Sequence, residues 1–385
     1  MNRFITTNTL GITEATLPPR ARASRLRLLI ITMKYTGLRS LGQEFEKHTA
    51  GDDGVDAVSI LFNPPLWFKL LTYSPTWARP WDQHHRRMLA AWPAYIRSWF
   101  KSVLDPKRFD AVHCTSQWVG LFAVGDSRFD HLRLSLGMDS TSYNAIDDLG
   151  DSLSEYGPMM GAEQQLYDRA DIFAPTSQWA ADSLVSRYGV AREKIVISPP
   201  TSDMRPKPAL DQPFDRSKPF RILFIGNDFV RKGGDRLLAW HQKHWSDRAE
   251  LHIASRDLEP GAAMGANVFA HGQVPRQKLV NELLPTADLF VMPTKREMSC
   301  WPAVECQGAG VPVVLPRIGG IPDLVDHGKS GLLVPVGDED AYIGAIQGLL
   351  DNPERAKEMG RYAAAFARKN FSRDVVFGRL VEAMK

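Results

Sequence analysis

Short runs of apolar residues, separated by spacers of helix length, recur along almost the whole chain, and one proline-rich stretch splits them into two series. The first series is "RLRLLIITM" (25–33), "FDAVHCT" (109–115), "HLRLSLGMD" (131–139), "ADIFAPT" (170–176) and "EKIVISPP" (193–200). Short near-continuous apolar runs suit strands buried on both faces, and spacers that can hold crossover helices make the sheet parallel. From Pro199 to Pro219 the segment "PPTSDMRPKPALDQPFDRSKP" carries six prolines and little apolar periodicity, so it reads as an extended linker. The series then restarts with "FRILFIG" (220–226), "AELHIAS" (249–255), "ANVFAHG" (266–272), "ADLFVMP" (287–293), "VPVVLP" (311–316) and "SGLLVPV" (330–336). The expected fold class is therefore α/β, with two parallel-sheet domains.

The length agrees, since 385 residues exceed the roughly 100–200 of one ordinary domain. The expected division is a flexible extension over 1–24, a first domain over 25–200, a linker over 201–219 and a second domain over 220–371. Lys and Arg total 47 against 44 for Asp and Glu, and a net charge of +3 makes no case for a nucleic-acid partner. The three cysteines, Cys114, Cys300 and Cys306, have neither disulfide-framework nor zinc-site spacing, which fits a reducing cytoplasm. Cys300 and Cys306 read as small packing residues. The N-terminus lacks the apolar core of a signal peptide, and no run approaches the ~18 apolar residues of a spanning helix.

Three stretches of the second domain can carry chemistry. In "FIGNDFVRKGGD" (224–235) a strand ends at Gly226, and Arg231 and Lys232 precede Gly233, Gly234 and a helix start. Two cations beside free helix N–H groups suit a phosphate or diphosphate, although a solvated turn accounts for them equally well. In "REMSCWPAVECQGAGVPVV" (296–314) Glu297 lies on a loop after a strand, and Glu305 lies on a short helix with Pro302 in its first turn and Gly310 closing it. Carboxylates so placed can accept hydrogen bonds from sugar hydroxyls, or be plain surface acids. In "RIGGIPDLVDHGKSGLLVPVGD" (317–338) Gly319 and Gly320 permit close backbone approach to a ligand, or form a simple turn. Asp338 is the expected N-cap of a helix over 338–354.

Taken together, Lys232-Gly233, "ADLFVMPT", the Glu297/Glu305 pair, "GAGVPVV", "GGIPDLV", "HGKSGLLVPVGD" and "NFS" resemble the C-terminal domain of retaining glycosyltransferases of family GT4. Upstream, "FDAVHCTSQWVGLFA" and "RADIFAPTSQWAADSLVSRYGVAREKIVISPPTSD" resemble its N-terminal domain. The resemblance implies a GT-B fold, two Rossmann-like domains facing a central cleft, with a last helix (372–385) returning to the first domain. It implies transfer of a sugar, with retention and without a metal, from a UDP-sugar or GDP-sugar to a carbohydrate or lipid-linked acceptor, in glycan, polysaccharide or glycolipid biosynthesis. Lys232 and Arg231 would hold the diphosphate, Glu305 the ribose, and Glu297 with Met298, Ser299, Cys300 and Trp301 the transferred sugar. Gly37, Gly226, Asn227, Gln273 and Val274 would complete the donor site, and His113 and Asp139 are the candidate catalytic groups of the first domain. No cofactor is implied.

The chain also departs from the family pattern. Asn227 follows Gly226 where the family often has Arg, Thr115 stands where a second His is common, and Met298-Ser299-Cys300 replaces the step after the first Glu. These departures motivate an alternative, a GT-B pseudoenzyme that binds nucleotide or glycan without turnover; a GT-B epimerase or phosphorylase is a third reading. In "WDQHHRRMLAAWPAYIRSWFKSVL" (81–104) Leu89, Trp92, Ile96, Trp99 and Val103 recur at helical spacing with basic residues around them. The stripe reads as core, with peripheral contact to the inner face of a membrane as the alternative. Trp67, Phe68, Tyr73, Trp77 and Trp81 suit either an acceptor site or plain packing.

Overall fold

The structure, a computed structural model, describes residues 3–7, 25–33, 36–62, 84–102, 104–212, 214–215 and 217–385. It contains two compact units, Met1–Pro199 with Arg373–Lys385, and Pro200–Ser372. The aromatic residues from Trp67 to Trp81 and most of the N-terminal extension lie outside the described residues.

In the first unit β1 (Arg3–Thr7), β2 (Leu26–Met33), β3 (Val55–Phe62), β4 (Ala111–Cys114), β5 (Arg133–Met138) and β6 (Ile172–Pro175) form one sheet in the order β1-β3-β2-β4-β5-β6. Every pairing is parallel. Helices α1 (Thr36–Ala50), α2 (His84–Ser102), α3 (Ser142–Asp147) and α4 (Leu153–Arg169) lie in the crossovers, and α5 (Gln178–Tyr188) follows the last strand. Residues 3–7, expected to belong to a flexible extension, instead pair with β3 as an edge strand. The strand Val55–Phe62 is absent from the sequence reading, although Gly54 before a β-branched run is a usable signal. Conversely, "EKIVISPP" is no full strand. Ile195 makes a single bridge to Phe173, Val196 N–H and Ser198 N–H donate to β6 carbonyls, and Pro199 and Pro200 have no N–H to continue the ladder.

Part of the apolar stripe of α2 is core: Ile96 and Phe100 are buried among Phe122, Phe129 and Leu134, with Leu89 and Trp99 partly buried against them, whereas Val103 and the side chain of Trp92 lie outside the described residues. Among the described residues no helix is long and apolar enough to cross a membrane.

In the second unit β7 (Phe220–Ile225), β8 (Ala249–Ala254), β9 (Val268–Gly272), β10 (Leu289–Val291), β11 (Val313–Pro316) and β12 (Gly331–Val334) form a parallel sheet in the order β12-β11-β10-β7-β8-β9. Its helices include α6 (Gly234–His244), α7 (Trp301–Gly308), α8 (Glu339–Asp351) and α9 (Pro353–Phe371). Asp338 caps α8 as expected, its carboxylate accepting from Ala341 N–H at 3.0 Å. The proline-rich segment is not a free linker. Lys207 N–H donates to the Ala309 carbonyl, the Lys207 ammonium reaches the Ala287 carbonyl and Asp288, and Leu210 is buried where Gly310 and Gly360 leave no side chain. A Cβ on Gly310 would lie 2.2 Å from Leu210 Cδ1, so the slot exists because that position is glycine.

The last helix, α10 (Arg373–Met384), belongs to the first unit and packs on α1. Phe377 stacks on Phe45 with centroids 4.7 Å apart, while His48 meets Asp374 and Arg373 meets Glu44 at its edge. Phe377 is 1% exposed, whereas the Asp374 side chain is 84% exposed. Replacing Phe377 by Ala should therefore cost about 3–5 kcal/mol. Asp374→Ala should cost under about 1 kcal/mol, because an exposed ion pair is screened by water. Urea unfolding monitored for the first unit checks both.

Candidate donor site and its relatives

In the second unit the strand order reverses between β7 and β10, which are parallel neighbours in the sheet, Ile222 facing Leu289 and Leu223 facing Phe290. Open α/β sheets bind ligands outside the carboxyl ends of their strands at such a reversal. The loop after β7 carries Gly226, Asn227, Arg231 and Lys232, and the loop after β10 carries Glu297 to Cys300.

Short-range geometry locks the two loops together. The Lys232 ammonium sits 3.0 Å from the Glu297 carboxylate, and both side chains are largely buried. Gly226 makes room for this, because a Cβ there would lie 2.8 Å from Lys232 Cδ. Arg231 pairs with Asp228 and donates to the Arg296 carbonyl at 3.1 Å, and Thr294 Oγ donates to the same carbonyl at 2.9 Å. Gly233 has φ +80° and a Cβ there would lie 2.4 Å from the Pro293 carbonyl, so α6 starts flush against the exit of β10. Arg236 on α6 donates to that carbonyl.

The paired glycines of the third stretch also serve this junction. Gly319 has φ +53°, and a Cβ there would lie 2.3 Å from the Glu297 carbonyl, while Gly320 N–H donates to the Met298 carbonyl at 2.8 Å. The close approach that these glycines permit is thus to protein backbone.

Helix α7 begins after Cys300 with Pro302 in its first turn and is closed beyond Gly308 by Gly310, Val311 N–H returning to the Cys306 carbonyl and Gly310 N–H to that of Gln307. Glu305, on its second turn, pairs with Arg276, which opens the helical segment after β9. Gln273, exposed, and Val274, half-buried, lie between β9 and Arg276. Asn227 accepts from Arg256 N–H at 3.2 Å, which ties it to the exit of β8. Ser299 and Cys300 are buried, and Met298 and Trp301 half-buried. Arg276, Thr294 and Arg236 are missed by the sequence reading; Arg276 alone had a signal, as the first cation after Gln273-Val274.

The first-unit candidates fall elsewhere. Gly37 lies in the first turn of α1, after β2, and Asp139 is half-buried just after β5. The loop behind Asp139 is held by buried Glu163, whose carboxylate accepts from Ser142 N–H and Gln117 Nε2, each at 3.1 Å, and from the Tyr188 hydroxyl. Burial raises the pKa of Glu163. His113, expected to reach a sugar, lies inside β4 instead. It is 2% exposed, its Nδ1 is 2.9 Å from Ser135 Oγ and its ring meets Phe45 edge-on, so it packs as a core residue. Thr115, one residue beyond β4, is fully buried.

Two expectations follow from these environments. Burial lowers the His113 pKa from 6.5 to about 3, so between these values the unfolded chain binds a proton that the native chain refuses. Stability should therefore fall as pH drops below about 6.5, by up to ~1.4 kcal/mol per unit from this group. His113→Gln should flatten that slope in pH-dependent urea unfolding. Burial also raises the thiol pKa of Cys114, Cys300 (to about 12) and Cys306. A thiol reagent should label none of the three cysteines natively and all three in denaturant.

Residues 219–352 match the family described as glycosyl transferases group 1. A D-inositol 3-phosphate glycosyltransferase of Corynebacterium jeikeium is 29% identical over 232 residues, covering 54% of this chain and 55% of the relative. One from Pseudarthrobacter chlorophenolicus is 30% identical, covering 52% of each. The match thus spans about half the length of these curated relatives. Among solved structures, sucrose-phosphate synthase from Thermosynechococcus elongatus has a TM-score of 0.71 at 17% identity, covering 93% of this chain and 98% of its own. HepE of Anabaena in complex with UDP has a TM-score of 0.68 at 16% identity, covering 93% and 99%. The chain carries the GT-B fold, and residues 219–352 of its second unit resemble the group 1 glycosyltransferases.

Proposed function

We propose that this protein is a retaining glycosyltransferase that moves a sugar from a nucleoside diphosphate sugar to an acceptor hydroxyl in the synthesis of a glycan, polysaccharide or glycolipid. The observation that carries this reading is the Lys232–Glu297 pair at the β7/β10 reversal, with Arg231 beside it and Glu305 on the adjoining helix. Lys232 and Arg231 neutralise the diphosphate as it leaves, and cations already fixed in place do this without reorganising at the moment of reaction. Glu297 orients Lys232 and, with the backbone of Met298, Ser299 and Cys300, accepts from hydroxyls of the transferred sugar. Glu305 accepts from the ribose hydroxyls once Arg276 turns aside. Retention requires the acceptor to attack the face from which the diphosphate departs, so the protein's work is positioning and charge stabilisation. The chain's own cations supply that charge, and the reading assigns no step to a metal. Asp139 is the first-unit group placed on a loop after a strand, and it takes the acceptor-side role that His113 cannot.

The donor nucleoside is uridine on this reading, supported by structures of the same fold: HepE of Anabaena is described in complex with UDP and with UDP-glucose. The acceptor is a carbohydrate or a lipid-linked sugar, and the reaction belongs to the cytoplasm, where nucleotide sugars are made.

A thermal-shift panel of UDP, GDP, ADP and TDP tests the base, because a ligand of the folded state raises the melting temperature. UDP should give the largest shift. With a UDP-sugar, Lys232→Ala should lower kcat/KM by about 10²-fold or more, and Glu305→Ala should act mainly on KM, since ribose contacts persist from ground state to transition state. Activity should survive EDTA. Nucleotide binding without hydrolysis or transfer from any sugar nucleotide would instead establish the non-catalytic alternative, and unchanged kinetics in both variants would remove the site.

A further inference from the structure

The chain enters the second unit at Pro200 and leaves it at Ser372, and residues at both ends line a cavity of about 450 Å³ in that unit. Its wall includes Ser202, Asp203, Arg205, Gly308, Arg368 and Ser372. This volume lies in the ordinary range for a small-molecule site. The two ends are joined beside it, where Ser202 N–H donates to the Phe371 carbonyl at 2.8 Å. Gly308 keeps the wall open, because a Cβ there would lie 2.6 Å from Ser202 Oγ.

Two guanidinium groups line this one cavity, and among the described residues neither Arg205 nor Arg368 takes part in a hydrogen bond or ion pair. Most other arginines of the second unit are engaged: Arg221 with Glu250, Arg231 with Asp228, Arg236 with Pro293, Arg248 with Asp351, Arg276 with Glu305 and Arg361 with Leu210. Arg368 lies in the last turn of α9, where a cation opposes the helix dipole, but Arg205 is on irregular chain with no helix end to serve. Guanidinium forks match the oxygens of a phosphate, and the hydroxyls of Ser202 and Ser372 add donors. Asp203 repels the phosphate itself but accepts from a hydroxyl.

We propose that this cavity is a binding site for the phosphate monoester of a small polyol or sugar, distinct from the donor site. Arg205 and Arg368 hold the phosphate, Ser202 and Ser372 complete its hydrogen bonds, and Asp203 takes a hydroxyl of the polyol.

The test is calorimetric titration of the full chain at constant ionic strength with glucose 6-phosphate, inorganic phosphate and glucose. Glucose 6-phosphate should bind saturably and more tightly than inorganic phosphate, and glucose should not bind measurably. The exposed pair Arg205→Ala/Arg368→Ala should weaken binding by at least about tenfold without changing the melting temperature of the free protein. Lys232→Ala, in the donor loop, should leave it unchanged, which separates this site from any phosphate affinity of the donor loop. Asp203→Ala should erase the advantage of the ester over inorganic phosphate. Absence of saturable binding, or binding that survives the double arginine variant and is lost in Lys232→Ala, overturns the proposal. Equal affinity for the ester and free phosphate, unaffected by Asp203→Ala, overturns the polyol assignment.

Discussion

The pairing of β7 with β10 is the constraint from which the second unit's chemistry follows. These strands are separated by more than sixty residues, yet they lie side by side because the sheet is built outward in both directions from β7. Two adjacent parallel strands stand about 4.8 Å apart. Their following loops therefore leave the same edge within side-chain reach. Lys232 and Glu297 meet for that reason, and Gly226, Gly233 and Gly319 are the positions at which a side chain would have prevented the approach.

The same junction is organised electrostatically before any ligand arrives. Lys232 is neutralised by Glu297, Arg231 by Asp228 and Glu305 by Arg276. A partly buried charge left without a partner would cost several kcal/mol. On the proposed reading a diphosphate shares Lys232 with Glu297, and the ribose displaces Arg276 from Glu305, so binding exchanges one set of partners for another. The first unit shows the opposite treatment of a polar group, since His113 is held neutral in the core by its burial.

Much of this was legible in the residues. The apolar runs located nearly every strand, and the proline at the start of α7, the glycine at its end and Asp338 before α8 announced their helix boundaries because capping is decided by a few adjacent residues. The stretches carrying Lys232, Glu297 and Gly319 were separately ambiguous, each compatible with a plain turn, and only their joint resemblance to a family gave them a role. Other expectations failed where distant residues decided. The proline-rich segment looked extended, but Leu210 and Lys207 find a slot and two buried partners on the second unit. His113 looked like a ligand-facing residue, but it precedes the end of β4 and is enclosed by Phe45 and Ser135.

By itself the sequence determined the α/β class, the two sheets and the local beginnings and ends of helices, because apolar periodicity, capping and missing side chains act over a few residues. Tertiary structure alone decided which carboxylate each cation meets, which glycine serves backbone rather than ligand, and which histidine lies in the core. Those outcomes depend on strand order and on contacts between residues far apart in the chain, and no local pattern encodes the angle or distance at which such residues arrive.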